Sequence, residues 1–179
     1  PFIFLSPFVI KYIEVGNDFE LYYFVYKKYI FELLLNGHLP YWSPGEAAGY
    51  SLIFNPLAQF FYLPSWILYF ISSILGELSK YSFLIYTIFG ISIFNLGLFL
   101  FLRTFNLKTA TVLTTVILVS MSLKITELIR FPNAIHTFAW FPWILYGINL
   151  SLFNNNYKKI FLVTFSSTVF ILTAGYPYY

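Results

Sequence analysis

One stretch of this chain has almost no choice of secondary structure. Residues 81–102 read YSFLIYTIFGISIFNLGLFLFL, with no charged side chain. A bilayer's hydrocarbon core takes about 20 apolar residues of helix to cross. Lipid offers no water to the peptide groups, so such a run must satisfy its own hydrogen bonds as a helix. Three further stretches, 106–123, 137–153 and 160–175, approach the same length, and Lys108 can snorkel its ammonium to the headgroups. Composition agrees. Charged residues make up 9% and hydrophobic residues 59%, and mean hydropathy is +0.75. A soluble domain is about a quarter charged. A chain this poor in charge cannot cover a folded surface with polar groups, so lipid is the expected solvent. The expected fold class is an all-α polytopic membrane protein.

Other classes are excluded by what is missing. The net charge of +3 is small and spread along the chain, which excludes nucleic acid as a partner. With no cysteine there is no disulfide framework and no thiolate zinc site. No glycine-rich phosphate loop and no Ser/His/Asp set stands out, and no soluble domain is present to take a nucleotide sugar. "PFIFLSPFVI" is about half the length of a crossing. Residues 1–13 therefore read as the end of a first span, and the chain as the N-terminal piece of a longer protein.

The uncharged stretch 47–76 has a different texture. Pro56 and Pro64 interrupt it, Asn55 and Gln59 dot it, and "FFYLPSW" is rich in rings. Rings with polar handles favour the membrane interface. The stretch reads as a broken helix at the surface within an outer loop spanning 14–80, or else as a proline-kinked crossing. In the first case one side carries Arg103, Lys108, Lys158 and Lys159. All seven acids (Glu14, Asp18, Glu20, Glu32, Glu46, Glu77, Glu127) then fall on the other. Short, purely basic loops mark the cytoplasm, which puts the acids outside. If 47–76 crosses instead, the rule is satisfied about as well.

Two of those acids stand in "GNDFELYYF", residues 16–24. One reading is structural. Asn17 serves as an N-cap with Glu20 three residues on, as in a capping box, and Asp18 favours the helix dipole. Gly37 then ends the helix near residue 36, and Lys28 and Glu32 form an i,i+4 pair. The other reading is chemical: a carboxylate at the interface takes the proton of a hydroxyl nucleophile.

The order of the residues that follow bears on that choice. After Asp18 come Gly37, Pro40, Trp42 and Pro44, then Gly49, then Gln59, Tyr62 and Pro64. Further on are "FLRTFNLKTATVL", "AWFPWILYGI" and the terminal "AGYPYY". Over nearly the whole chain this order resembles the YfhO-like bacterial membrane proteins, a branch of the GT-C glycosyltransferase superfamily. Their pattern has an Asp after the first span, then G-x-x-P-x-W-x-P, a G, and Q…Y-P. An arginine-bearing cytoplasmic turn, A-W-x-P-L and G-H-P-Q follow. Tyr176 and Tyr178 depart from that His and Gln, and Leu63 is inserted between Tyr62 and Pro64.

The resemblance implies a fold and a reaction. The fold is a set of GT-C-like transmembrane helices with interfacial helices in the first outer loop. The reaction moves a sugar from a polyprenyl-phosphate donor to a cell-envelope glycan acceptor, on the outer face of the bacterial plasma (inner) membrane. Asp18 is the implied catalytic base. Glu20 would join it in holding a divalent cation (Mg or Mn) against the phosphate leaving group. A transporter or flippase of lipid-linked sugars, or a non-catalytic scaffold, is the alternative.

Further candidates come from residue type. Lys124, Arg130 and His136 lie in the loop between spans and suit the donor's phosphate, or ordinary contact with lipid headgroups. His136 also suits proton transfer, or the role of a plain interfacial polar residue. His38, Trp42 and Gln59 suit an acceptor groove for the sugar, although Trp42 beside Pro44 equally suits a loop anchor.

Overall fold

A computed structural model describes residues 18–45, 48–153 and 157–175. Among the described residues the chain is helical, with no strand beyond one isolated antiparallel bridge between Ser43 and Tyr50. The expected end of a first span, 1–13, lies outside the described residues, as do Asn17, Tyr176 and Tyr178.

A π-helical turn, Phe19–Tyr23, runs straight into α1 (Phe24–Leu35). Helix α1 stops at Gly37, whose φ of +73° sets a left-handed turn. The Gly37 and His38 amides return to the carbonyls of Leu34 and Leu33, which closes the helix end. Within α1, Lys28 and Glu32 pair at 3.9 Å on the exposed face. The stretch 47–76 is broken as its prolines demand. A 3₁₀ turn (Pro56–Ala58) is capped by the Asn55 side chain, and α2 (Leu63–Leu75) starts with proline in its first turn.

The long apolar run forms α3 (Lys80–Arg103), with Ser79 and Ser82 making a reciprocal capping box at its start. Helix α3 is the one helix among the described residues that is long and apolar enough to cross a membrane; α2 and Thr109–Ser120 are apolar but shorter. The expected runs 106–123 and 137–153 are subdivided. Helix α4 (Thr109–Ser120) ends at Met121, and Ser122 caps a separate α5 (Leu123–Leu128). Pro142 supplies no amide for the carbonyl of Phe138, so α6 (Pro132–Ala139) stops at Trp140 and α7 (Phe141–Phe153) begins anew. Helix α8 is Tyr157–Thr173.

Helix α3 is the axis of the structure. It packs on α4, α6 and α7, while α8 packs on α6 and α7. Two glycines on α3 set how close its partners come. A Cβ on Gly90 would meet Ile135 and His136 of α6, and one on Gly97 would meet the Trp143 ring of α7. Small residues at helix crossings let backbones approach, as helices in lipid require. The Trp143 indole N–H then reaches the Ile93 carbonyl at 3.0 Å. The core lies between α1, α2, α5, α6 and the first half of α3, with Phe19, Ile30, Phe31, Tyr62, Phe83, Ile88 and Ile135 inside. Many large apolar side chains remain outside, among them Phe54, Phe70, Leu118, Leu123 and Leu172.

Candidate functional site

Asp18 is exposed, at the first position before the π-helical turn, and its side chain caps no backbone amide. Glu20 is half-buried and its carboxylate is paired with the Lys80 ammonium at the start of α3. That pair fastens the π-helical turn to α3 and occupies Glu20. As placed, Glu20 does not join Asp18 in a two-carboxylate cation site. Among the described residues no three His, Asp or Glu side chains gather where they could hold a metal ion.

One turn further along, the inward face of α1 carries a lysine. Lys27 follows Phe24 by three residues and precedes Phe31 by four, so it falls on the buried stripe of α1. It is 1% exposed. Its ammonium nitrogen donates to Ser65 Oγ at 2.7 Å and to the Ala58 carbonyl at 3.1 Å. The rings of Tyr69 and Tyr86 stand 5.7 and 5.8 Å away. Burial drives its pKa well below the usual lysine range, because the charged form has lost its water.

From Lys27 the hydrogen bonds run on in one direction. Ser65 Oγ lies 3.1 Å from the Tyr86 hydroxyl, which donates to Gln59 Oε1 at 3.0 Å. Gln59 Nε2 then donates to the carbonyl of Ala174, beyond α8. Because Tyr86 spends its proton on Gln59, Ser65 must donate to Tyr86, and Lys27 must donate to Ser65. Gly175 makes this approach possible. A Cβ there would collide with the Pro56 carbonyl, and its φ of +76° lies in the left-handed region.

His136 is fully buried beside this chain, stacked on the Tyr86 ring at 4.0 Å between centroids. Its Nε2 lies 3.1 Å from the Tyr86 carbonyl, and its Nδ1 3.0 Å from the Tyr62 hydroxyl. A carbonyl only accepts, so Nε2 carries the proton and Nδ1 accepts from Tyr62. The Tyr62 hydroxyl in turn accepts from the Trp140 indole at 2.8 Å. Burial, helped by the nearby charge of Lys27, lowers the His136 pKa to about 3 and keeps the ring neutral.

The other expected residues separate into two groups. Lys124 sits on α5 beside an apolar cavity of about 330 Å³ lined by Ile91, Phe94, Val119, Leu128 and Phe138. It pairs with Glu127 at 3.8 Å, both side chains being more than half exposed. Arg130 is exposed, its guanidinium 5.6 Å from the Phe131 ring. His136 does not join them. The expectation of a loop histidine facing phosphate is corrected, because it lies on α6 and both ring nitrogens are already engaged inside the protein.

His38 and Trp42 are exposed, Trp42 lying over Gly49, whose backbone leaves room for the indole. Gln59 is 2% exposed and bonded at both ends of its amide, so it belongs to the buried chain rather than to an open groove with His38 and Trp42. Sequence reasoning missed Lys27, Ser65 and Tyr86. A signal for Lys27 existed: of two adjacent lysines, Lys28 has Glu32 one turn on, while Lys27 falls in register with Phe24 and Phe31.

No family model, no curated protein and no solved structure matches this chain. What can be said of function rests on the residues. Gln59, Tyr62, Trp140 and Gly175 come from three separated segments and belong to one buried, hydrogen-bonded unit.

Proposed function

We propose that this chain is part of an integral membrane glycosyltransferase of GT-C type, with Asp18 as general base on the outer face. The observation that carries the reading is the way Asp18 is held. It stands exposed at the free end of a helix whose opposite face is locked by Lys27 into the buried chain of Ser65, Tyr86 and Gln59. A carboxylate on a rigid, anchored element suits catalysis, where geometry must be kept within a fraction of an ångström. The many exposed apolar side chains on α2, α4, α7 and α8 suit lipid as their solvent. The membrane fold proposed is polytopic, with α4, α7 and α8 completing crossings alongside α3.

In the proposed reaction the Asp18 carboxylate takes the proton of an acceptor hydroxyl. The hydroxyl oxygen bonds to the anomeric carbon as the bond from that carbon to the polyprenyl-phosphate oxygen breaks, and the phosphate leaves as an anion. The apolar cavity beside Lys124 suits part of the isoprenoid chain, with the ammonium at the phosphate. The surface pair of Lys124 with Glu127 contributes only about 0–1 kcal/mol, so a phosphate can compete for it. Arg130 is a second cation for that group.

The test is donor class. Membranes carrying the full-length protein should transfer labelled hexose to glycan acceptor from a polyprenyl-phosphate-linked donor and not from a nucleotide sugar. Absence of transfer from the lipid-linked donor would overturn the reading.

A further inference from the structure

The outward side of the helix that begins at Asp18 faces a groove. Tyr22 of the π-helical turn and Tyr26 and Tyr29 of α1 form one wall of a cavity of about 360 Å³; Ser43, Pro44 and Tyr50 form the other. The second wall is fixed by the isolated bridge, in which the Ser43 and Tyr50 backbones exchange hydrogen bonds at 2.9 and 3.0 Å. Tyr22 is 44% exposed and meets Tyr26 edge to face, with centroids 5.3 Å apart. The volume lies in the range of small-molecule sites. Asp18 lies four residues before Tyr22, about one turn back along the same exposed side.

Two features define what this groove suits. First, no charged side chain is among its described lining residues, so it offers nothing to a phosphate or an ammonium group. Second, it is not simply apolar. Phenol hydroxyls line it, and the Tyr50 hydroxyl is buried with no hydrogen-bond partner. A buried hydroxyl left unpaired is costly, and native structures rarely keep one without a reason. A ligand hydroxyl reaching into the groove would satisfy it. Tyrosine rings meanwhile offer flat apolar faces at low conformational cost.

We propose that this groove is a subsite for a neutral glycosyl ring of the acceptor, bound between Tyr22, Tyr26 and Tyr50. The proposal rests on the glycosyltransferase reading above and adds the acceptor's chemistry: an uncharged saccharide whose hydroxyl is presented toward Asp18. The ring's apolar face stacks on Tyr22 and Tyr26, and one of its hydroxyls pairs with Tyr50.

The experiment is saturation-transfer NMR on the full-length protein in nanodiscs free of sugar detergent. The probes are methyl α-glucoside, maltose, glucose 1-phosphate and decanoate. Wild type should bind the two neutral saccharides, with weaker binding of the phosphate. Tyr50→Phe removes one oxygen and leaves the ring, so saccharide binding should weaken about fivefold, the scale of one hydrogen bond. Tyr22→Leu alters an exposed position, leaves folding intact, and should weaken it at least as much. Asp18→Asn should bind saccharide like wild type while losing transfer.

No saccharide binding by wild type, or unchanged binding in both tyrosine variants, would overturn the proposal. Displacement of saccharide by decanoate but not by excess glucoside would identify the groove as an acyl-chain site and overturn it equally. Saccharide binding that the tyrosine variants weaken, in a wild type that transfers no sugar, would leave the subsite standing and remove the glycosyltransferase reading.

Discussion

The Tyr62 hydroxyl is the single atom on which two buried hydrogen bonds depend. It accepts from Trp140 Nε1 at 2.8 Å and donates to His136 Nδ1 at 3.0 Å. Tyr62→Phe deletes that atom and nothing else. The ring keeps its edge-to-face contacts with His136 and Phe170, at 5.3 and 6.1 Å between centroids, and no cavity larger than the hydroxyl opens. His136 is fully buried, so its Nδ1 is left without a donor, at a cost of about 1–3 kcal/mol. Trp140 is only partly buried and its indole N–H can find other acceptors, so the total should come to about 2–4 kcal/mol. For a chain of this size each kcal/mol lowers Tm by roughly 2–4 °C, which puts the loss at roughly 4–16 °C. The assay is thermal unfolding of the purified protein in detergent, followed by intrinsic fluorescence. Tyr81→Phe is the control, because Tyr81 is 41% exposed and its change should stay within about 0.5 kcal/mol. A Tyr62→Phe protein that melts within a degree of wild type would refute the hydrogen-bond assignment and the His136 tautomer derived from it.

Two further outcomes follow from the same geometry. His136 titrates near 6.5 when unfolded and at about 3 when folded, so between those values the unfolded state holds a proton that the folded state does not. Its neutral form is therefore fully accommodated above pH 6.5, and stability should fall on acidification toward pH 3, by at most about 1.4 kcal/mol per pH unit. His136→Gln should flatten that slope, and an unchanged pH profile would count against a buried neutral imidazole. For topology, cysteines placed at the exposed positions His38 and Leu107 of this cysteine-free chain should differ in intact cells. An impermeant maleimide should label the first and spare the second; equal labelling of both would overturn the proposed orientation.

The sequence was most legible where one physical rule acted alone. The run 81–102 could only be a helix, and α3 covers it with one residue to spare at each end. Gly37 ended α1 as a left-handed turn residue should, and the Lys28–Glu32 pair formed at its helical spacing. The subdivision of 106–123 and 137–153 was harder to see, because hydropathy averages over the local chemistry of Ser122 and Pro142. Asp18 and Lys124 could be singled out as charges in an apolar chain, and both are exposed.

The buried network was not legible. Lys27, Ser65, Tyr86 and His136 are brought together by long-range packing of α1, α2, α3 and α6, which no local pattern records. A charge count treats Lys27 and Lys28 alike. Their difference is one of helix phase, with one facing Ser65 and the other facing out. Glu20 was paired in thought with Asp18 because they are neighbours in sequence, whereas the fold pairs it with Lys80.

The most direct measurement of the central claim is glycosyl transfer by Asp18→Asn in the full-length protein. Asparagine preserves size and is a good residue at a helix start, so the helix should lose only a few tenths of a kcal/mol and membrane insertion should be normal. It removes the base. Transfer from the polyprenyl-phosphate donor should fall about a hundredfold or more, the scale that general base catalysis supplies. Glu20→Gln, which breaks the ion pair with Lys80 and touches no reacting atom, should reduce transfer far less. Near-normal transfer by the Asp18→Asn protein would contradict the account and leave Asp18 as a residue at the start of a helix.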